Sequence, residues 1–353
     1  MSQDDLKYGL IGAGMMGCEH ITSLQLVDGA RLVAMADPVQ GSIDQALKVA
    51  GGDVSIAHYD HYLDMLAAEQ LDAVIVATPN FTHHEIASGL AGRNIAALIE
   101  KPLCTTVDDA FALQKLVETG KERFYTGLEY RFMPPATRFI ERVHAGDVGK
   151  VRMLSIREHR FPFLSKVGDW NRFNRNTGGT LVEKCCHFFD LMRFILQDEP
   201  KRILASGGQD INHLDEIYDG ERPDILDAAY VIVDFQGGAR AILDLCMYAE
   251  GSKEQEEIYA IGEKGKLEVT IPGANVVWSP RDRSGPFVES VETPASALDA
   301  GQHHGATYFE LAAFHKAIAR GEPFEVSVHD GVRSVEMGVA AHQSIASGQP
   351  VFL

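Results

Sequence analysis

Residues 7–17, KYGLIGAGMMG, constrain this chain more than any other stretch. A short apolar run, 8–11, meets Gly12, Gly14 and Gly17 in the spacing G-x-G-x-x-G, at the junction of a predicted strand and a predicted helix over 15–26. Gly12 permits the tight turn. Gly14 has no side chain to hold a pyrophosphate away from the backbone, and Gly17 lets the helix pack close to the strand. The helix aims its free N–H groups and positive dipole end at the phosphates. A second strand, 31–36, ends at Asp37, twenty positions after Gly17. A carboxylate there can accept hydrogen bonds from both hydroxyls of an adenosine ribose.

The alternation continues past Asp37. Helices are expected over 43–50, 61–68 and 83–92, and from Thr105 or Thr106 onward, where Asp108 and Asp109 occupy the first turn. Strands are expected over 55–58, 72–77, 96–99 and 124–128. The run DAVIVA at 72–77 is apolar throughout, as a strand buried on both faces requires. Six strands interleaved with helices define an α/β Rossmann domain, a doubly wound parallel sheet, over residues 1–128. Gly12, Asp37, Thr78 and Lys101 all fall at carboxyl ends of its strands, where such sheets bind ligands.

From 129 to 353 the pattern changes. A helix over 133–145 precedes seven strands, several joined by hairpin-like turns such as Gln236-Gly237-Gly238. One helix, 181–196, interrupts them, and helices over 306–320 and 330–347 close the chain. This half reads as an α+β domain with an open, mostly antiparallel sheet, and 285–305 reads as a surface loop.

The balance of 32 basic against 50 acidic residues gives a net charge of −18, which argues against nucleic acid or an acidic membrane surface as partner. No apolar run reaches the ~18 residues of a membrane helix. The first residues, MSQDDLKYG, lack the charge and apolar run of a signal peptide. Five scattered cysteines read as reduced thiols, so a cytoplasmic protein is expected.

Two stretches carry chemistry. Glu100-Lys101-Pro102 ends a buried strand at the cofactor edge. A lysine there can exchange a proton or hold a substrate hydroxyl, and Pro102 permits a cis bond before it. In GGTLVEKCCHFFD, 178–190, a continuous helix would place Glu183, His187 and Asp190 on one face at i, i+4 and i+7, among apolar neighbours. Histidine can take a hydroxyl proton near neutral pH, with a carboxylate orienting it. The adjacent Cys185 and Cys186 lack metal-site spacing, so no metal is expected. The doublets His83-His84 and His303-His304 are candidates of a weaker kind: His83 for the nicotinamide ribose, 303–304 for the cleft. Arg131, Arg157, Arg160, Trp170 and Arg172 are candidates for contacting a hydroxylated ligand.

With these residues together, the sequence resembles the glucose–fructose oxidoreductase / inositol dehydrogenase / rhizopine-catabolism (Gfo/Idh/MocA) family nearly end to end. The resemblance rests on GLIGAGMMG, Asp37, ATPNFTHHE, EKP and GGTLVEKCCHFFD. It implies a nucleotide-binding domain joined to an open-faced α+β domain, with NAD or NADP as cofactor. The family's catalytic lysine matches Lys101. Its second-domain signature, approximately GGGxLxDxGxHxxD, matches Glu183, His187 and Asp190. Glu183 is one methylene longer than the usual aspartate, and Cys185 replaces the usual glycine. Cofactor contacts are expected from Gly12, Gly14, Met15, Met16, Gly17, Asp37, Thr78, Pro79, Asn80, His83, Glu100 and Lys101. Lys101, His187 and Glu183 are the expected catalytic residues; Asp190, Arg157, Trp170 and Arg172 are the expected substrate contacts. Asp37 without a nearby arginine favours NAD over NADP. The expected activity is a dehydrogenase acting on a secondary alcohol of a cyclic polyol or sugar, with either Lys101 or His187 as the base. A non-catalytic dinucleotide-binding sensor and a lyase or epimerase using NAD transiently are the alternatives. The open sheet face implies a homodimer or homotetramer.

Overall fold

A computed structural model describes residues 5–52, 55–301 and 303–353, which divide into two compact units. The described residues within 5–129, 166–170 and 294–335 form the first; 130–165, 171–293 and 336–353 form the second.

The first unit opens with β1 (Leu6–Ile11), α1 (Met15–Leu24), β2 (Ala30–Ala36), α2 (Gln40–Val49), β3 (Ala57–Tyr59), α3 (Tyr62–Ala68), β4 (Ala73–Val76), α4 (His83–Leu90), β5 (Ala96–Glu100), α5 (Val107–Thr119) and β6 (Arg123–Gly127). Its sheet runs β3-β2-β1-β4-β5-β6, parallel throughout. The order reverses between β1 and β4, and this switch point is where a doubly wound sheet opens a ligand crevice. β4 and β5 are buried along their whole length, which is why they read as continuous apolar runs. Thr106 starts α5 by accepting the Asp109 N–H at 3.2 Å, and Asp108 and Asp109 complement the helix dipole.

The chain continues through α6 (Pro134–His144), β7 (Val151–His159), α7 (Asn174–Thr177), α8 (Thr180–Glu183), α9 (Cys186–Leu196), β8 (Pro200–Gly208), β9 (Ala228–Phe235), β10 (Arg240–Cys246), β11 (Glu256–Gly262), β12 (Gly265–Ile271), β13 (Asn275–Pro280) and β14 (Phe287–Ser290). Then come α10 (Ala295–Asp299), α11 (Ala306–Arg320), α12 (Val328–Ser347) and β15 (Val351–Phe352). The second unit's nine-stranded sheet has the order β14-β13-β12-β11-β7-β10-β9-β8-β15. Every pairing is antiparallel except β7 with β10. Helices α6 and α9 pack on it.

Two local expectations change. The helix expected over 181–196 is broken: α8 ends at Glu183, the backbone flattens at Cys185 (ψ −5°), and α9 starts at Cys186. The intervening Lys184 turns its ammonium inward to Glu158 at 2.8 Å. The region 285–305, expected as a loop, contains β14 and α10; β14 exists because it pairs with β13.

Candidate functional site

At the head of α1 the three glycines have different surroundings. A methyl group on Gly12 would meet Ala77 O at 2.6 Å, and its φ of +93° is in the left-handed region. On Gly17 it would meet Gly12 O at 2.2 Å. On Gly14 it would meet nothing within 4 Å. So two glycines are required by the protein's own packing, and the middle one keeps an open approach to the backbone. Gly14 is also the N-cap of α1 and makes no side-chain capping bond, so the dipole end faces that opening, flanked by Met15 and Met16. Asp37 Oδ2 accepts the Ala13 N–H and Oδ1 accepts the Val39 N–H, both at 2.8 Å. The glycine turn thus orients the carboxylate at the end of β2. Open backbone, helix dipole and oriented carboxylate are the donor and acceptor set that a dinucleotide's pyrophosphate and ribose require.

The loop after β4 carries Thr78, Pro79 and Asn80, with Asn80 buried at the start of a short turn over Asn80–Thr82. His83 is fully buried. Its Nδ1 faces Pro102 O at 2.8 Å and its Nε2 faces Thr78 O at 3.1 Å, so it ties the loop after β4 to the loop after β5. Burial holds the imidazole below its ordinary pKa, against the pull of those carbonyls. Glu100 ends β5. Burial alone would raise its pKa, but the hydrogen bond from His20 Nε2 (2.6 Å) and the charges of His20 and Lys101 hold it below the usual carboxylate range. The Lys101 N–H donates to Glu100 Oε2 at 3.1 Å, and the Lys101–Pro102 bond is cis. His20 was not a sequence candidate. Its signal was available: it lies three residues after Gly17, on the buried side of α1.

In the second unit Glu183 closes α8 and His187 lies in the first turn of α9; both are buried. Gly178 and Gly179 precede them with φ of +81° and +89°, and a methyl group on Gly179 would strike His342 Nε2 at 2.3 Å. The Tyr130 ring stacks on the His187 imidazole at 4.0 Å between centroids and 10° between planes. Lys184 Nζ donates to Tyr130 Oη at 2.5 Å and contacts Glu158, which also accepts from Arg160 at 3.1 Å. Burial and the Arg160 charge push the Lys184 ammonium below its ordinary pKa. Burial and the Glu158 charge push Glu256 up to about 7. Tyr130 and Lys184 were missed as neighbours of His187 because their convergence is tertiary.

Each expected substrate contact has a partner within its own unit. Both carboxylate oxygens of Asp190 accept from Arg131, one from Nε at 2.6 Å and one from Nη2, inside the second unit. Arg157 lies on β7 and pairs with Glu257 of β11 at 2.5 Å. Arg172 donates to Glu216 at 2.8 Å. Trp170 belongs to the first unit, where its ring meets the edge of Phe81 at 6.2 Å between centroids. Arg160 serves Glu158, and His303 serves Glu19 in the first unit.

A doubly wound sheet with this glycine turn, in a chain whose second unit has a mixed sheet and buried Glu183 and His187, is the architecture of a two-domain nicotinamide-dinucleotide oxidoreductase. Comparison with known proteins agrees. The "Oxidoreductase family, NAD-binding Rossmann fold" description matches residues 6–128, and the "Oxidoreductase family, C-terminal alpha/beta domain" description matches 140–353. The chain belongs to this family, Gfo/Idh/MocA. It is 26% identical to the myo-inositol 2-dehydrogenase of Thermotoga maritima, with 99% of this chain and 98% of that protein covered. It is 25% identical to the scyllo-inositol 2-dehydrogenase (NAD(+)) of Bacillus subtilis, covering 99% and 97%. A crystal structure of a probable dehydrogenase from Thermotoga maritima superposes with a TM-score of 0.80 at 25% identity, over 98% of each chain. Among the described residues no helix is long and apolar enough to cross a membrane.

Proposed function

We propose that this oxidoreductase acts on a secondary alcohol of a cyclic polyol or sugar, with NAD as its dinucleotide. The observation that carries the reading is the match to the Thermotoga myo-inositol 2-dehydrogenase over 99% of this chain, second unit included. Gly12, Gly14, Met15, Met16 and Gly17 would hold the pyrophosphate. Thr78, Pro79, Asn80 and Glu100 would line the nicotinamide side, with His83 fixing the two loops that carry them. NAD, when bound, supplies the hydride acceptor. Asp37 would take the ribose hydroxyls, and its charge would repel the 2′-phosphate of NADP.

In this reading His187 takes the proton of the reacting hydroxyl. Glu183 orients the imidazole. Lys101 holds the reacting oxygen. Tyr130, fixed by Lys184, keeps the imidazole plane in place.

The sheet of the second unit supports a homo-oligomer. Leu204, Tyr230 and Ile232 project from β8 and β9 and are 40%, 59% and 42% exposed, an apolar face that a second copy would cover. Light scattering that gives a monomer mass would overturn this. All five cysteines are free thiols, which suits a reducing cytoplasm.

The test of function is a panel of inositols and sugars with NAD and NADP, following both substrate consumption and the absorbance of reduced nicotinamide. Net reduced NAD with a polyol supports the proposal. Substrate conversion without net reduced cofactor indicates a lyase or epimerase, and dinucleotide binding without turnover on the panel indicates a sensor.

A further inference from the structure

One cluster in the first unit is used by none of the roles above. Glu19 projects from α1, Glu129 follows β6, and His303 precedes α11. One ligand atom from each lies within 4.8 Å of the other two. We propose that Glu19, Glu129 and His303 form a site for a divalent transition-metal ion, Zn²⁺ or Mn²⁺, on the nucleotide-binding unit.

His303 Nδ1 is 2.8 Å from Glu19 Oε1 and 3.5 Å from Glu129 Oε1. Two donors each ~2.1 Å from a tetrahedral metal stand about 3.4 Å apart, so a small shift of the side chains brings the three atoms to ligand spacing. An independent sign of a ligand is Glu129 itself. Its side chain is 2% exposed, yet Oε1, the atom aimed into the cluster, receives no hydrogen bond. A buried carboxylate oxygen without a donor is costly, and a cation removes that cost. Burial, against the charge of His303, pushes the Glu129 carboxyl above its ordinary pKa.

Thr307 supports the arrangement from outside. Its hydroxyl lies 2.8 Å from Glu19 Oε1 and 2.6 Å from Glu129 Oε2. One hydroxyl proton can serve only one of the two carboxylates. His303 already serves Glu19, so without a cation Glu129 must bind a proton or keep uncompensated charge; a dication removes either need. Two carboxylates and one imidazole are too few, and too rich in nitrogen, for the six to eight oxygens Ca²⁺ takes. They suit Zn²⁺ or Mn²⁺ with water in the remaining positions.

The test uses the full chain, stripped with chelator and dialysed. Mn²⁺ is titrated with detection of the free ion by electron paramagnetic resonance, and Zn²⁺ by calorimetry. The expected result is one Mn²⁺ per chain with a Kd of about 10 μM or tighter, and a metal-dependent rise in Tm. Glu129→Gln and His303→Asn, each checked for folding by circular dichroism, should weaken Mn²⁺ binding at least ~10-fold and abolish the rise in Tm. Two variants on separate elements keep the test decisive if one fails to fold. No Mn²⁺ bound at one equivalent, or undiminished binding in a folded variant, overturns the proposal. Zinc binding that survives both substitutions reports thiol binding elsewhere and overturns it as well.

Discussion

Replacing Asp190 by Asn separates a substrate contact from an internal brace. The Arg131 and Asp190 side chains are 3% and 1% exposed, joined by two hydrogen bonds, and the guanidinium also lies 4.0 Å from the centroid of the Phe194 ring. Asn keeps the shape but removes the charge and turns an NH₂ group toward a guanidinium that has only donors. Breaking a buried pair from one side costs about 3–5 kcal/mol, because the remaining ion stays buried. For a unit of this size that lowers Tm by about 6–20 °C. Calorimetry should show the drop. Turnover per folded molecule, measured well below the new transition, should stay within about 3-fold of wild type. Arg131→Met with Asp190→Leu should recover much of the lost stability, since a packed apolar pair replaces the buried ions. Wild-type Tm with KM for the polyol raised ~10-fold and kcat unchanged would refute the brace and return Asp190 to the substrate.

Lys101→Ala and His187→Ala should each cut turnover by at least ~100-fold, and the double variant should lose little more, because groups acting as a unit are non-additive. Near-wild-type turnover in folded His187→Ala would remove it as the base. Asp37→Ser should weaken NAD and improve NADP relative to it; titrations showing unchanged preference would sink the Asp37 assignment. His342 Nε2 accepts the Leu181 N–H at 3.1 Å, and burial holds its pKa down at about 4. A depressed histidine stabilises the fold fully above its unfolded value near ~6.5, and that stability falls with pH toward 4, by about 3 kcal/mol in total. Glu256, raised to about 7, works in the opposite sense, losing its contribution as pH climbs from about 4.5 to 7. The measurable quantity is therefore the difference in unfolding free energy between wild type and His342→Asn, followed from pH 7 to 4; a difference that does not change with pH refutes the assignment.

The nucleotide-binding half was legible because its signals are local. The glycine spacing, the all-apolar β4, the apolar run of β5 ending in Glu100, and Asp37 closing β2 each follow from one strand and its neighbouring turn. What was not legible depends on distant partners. Arg131 and Asp190 are 59 positions apart, and Glu129 and His303 are further apart still, with no repeat or spacing to link them. β14 is four residues long, directly after Gly285-Pro286, too short to signal itself, and it forms by pairing with β13. Residues 294–335 cluster with the first unit although they follow the second unit's sheet in sequence.

The break after Glu183 shows how a local pattern can be right about residues and wrong about their backbone. Heptad-like spacing places Glu183, His187 and Asp190 on one helical face only if the helix is continuous. The backbone flattens at Cys185, while Lys184 keeps helical angles and sends its ammonium to Glu158, a fully buried carboxylate on β7 that also accepts from Arg160. Removing Lys184 would leave Glu158 short of a buried cation. The same lysine holds the Tyr130 hydroxyl, and Tyr130 covers the His187 ring. Cys185, where the family signature has glycine, fits this arrangement as a small buried side chain. Burial and the Glu158 charge push its thiol well above the ordinary range, so it stays protonated and packs as an apolar group rather than acting as a nucleophile. Lys184, Tyr130 and Cys185 thus share one buried neighbourhood with Glu158 beside His187. A change at Lys184 reaches Glu158 on the sheet directly and the imidazole through Tyr130, whereas a change at Tyr130 reaches the imidazole directly.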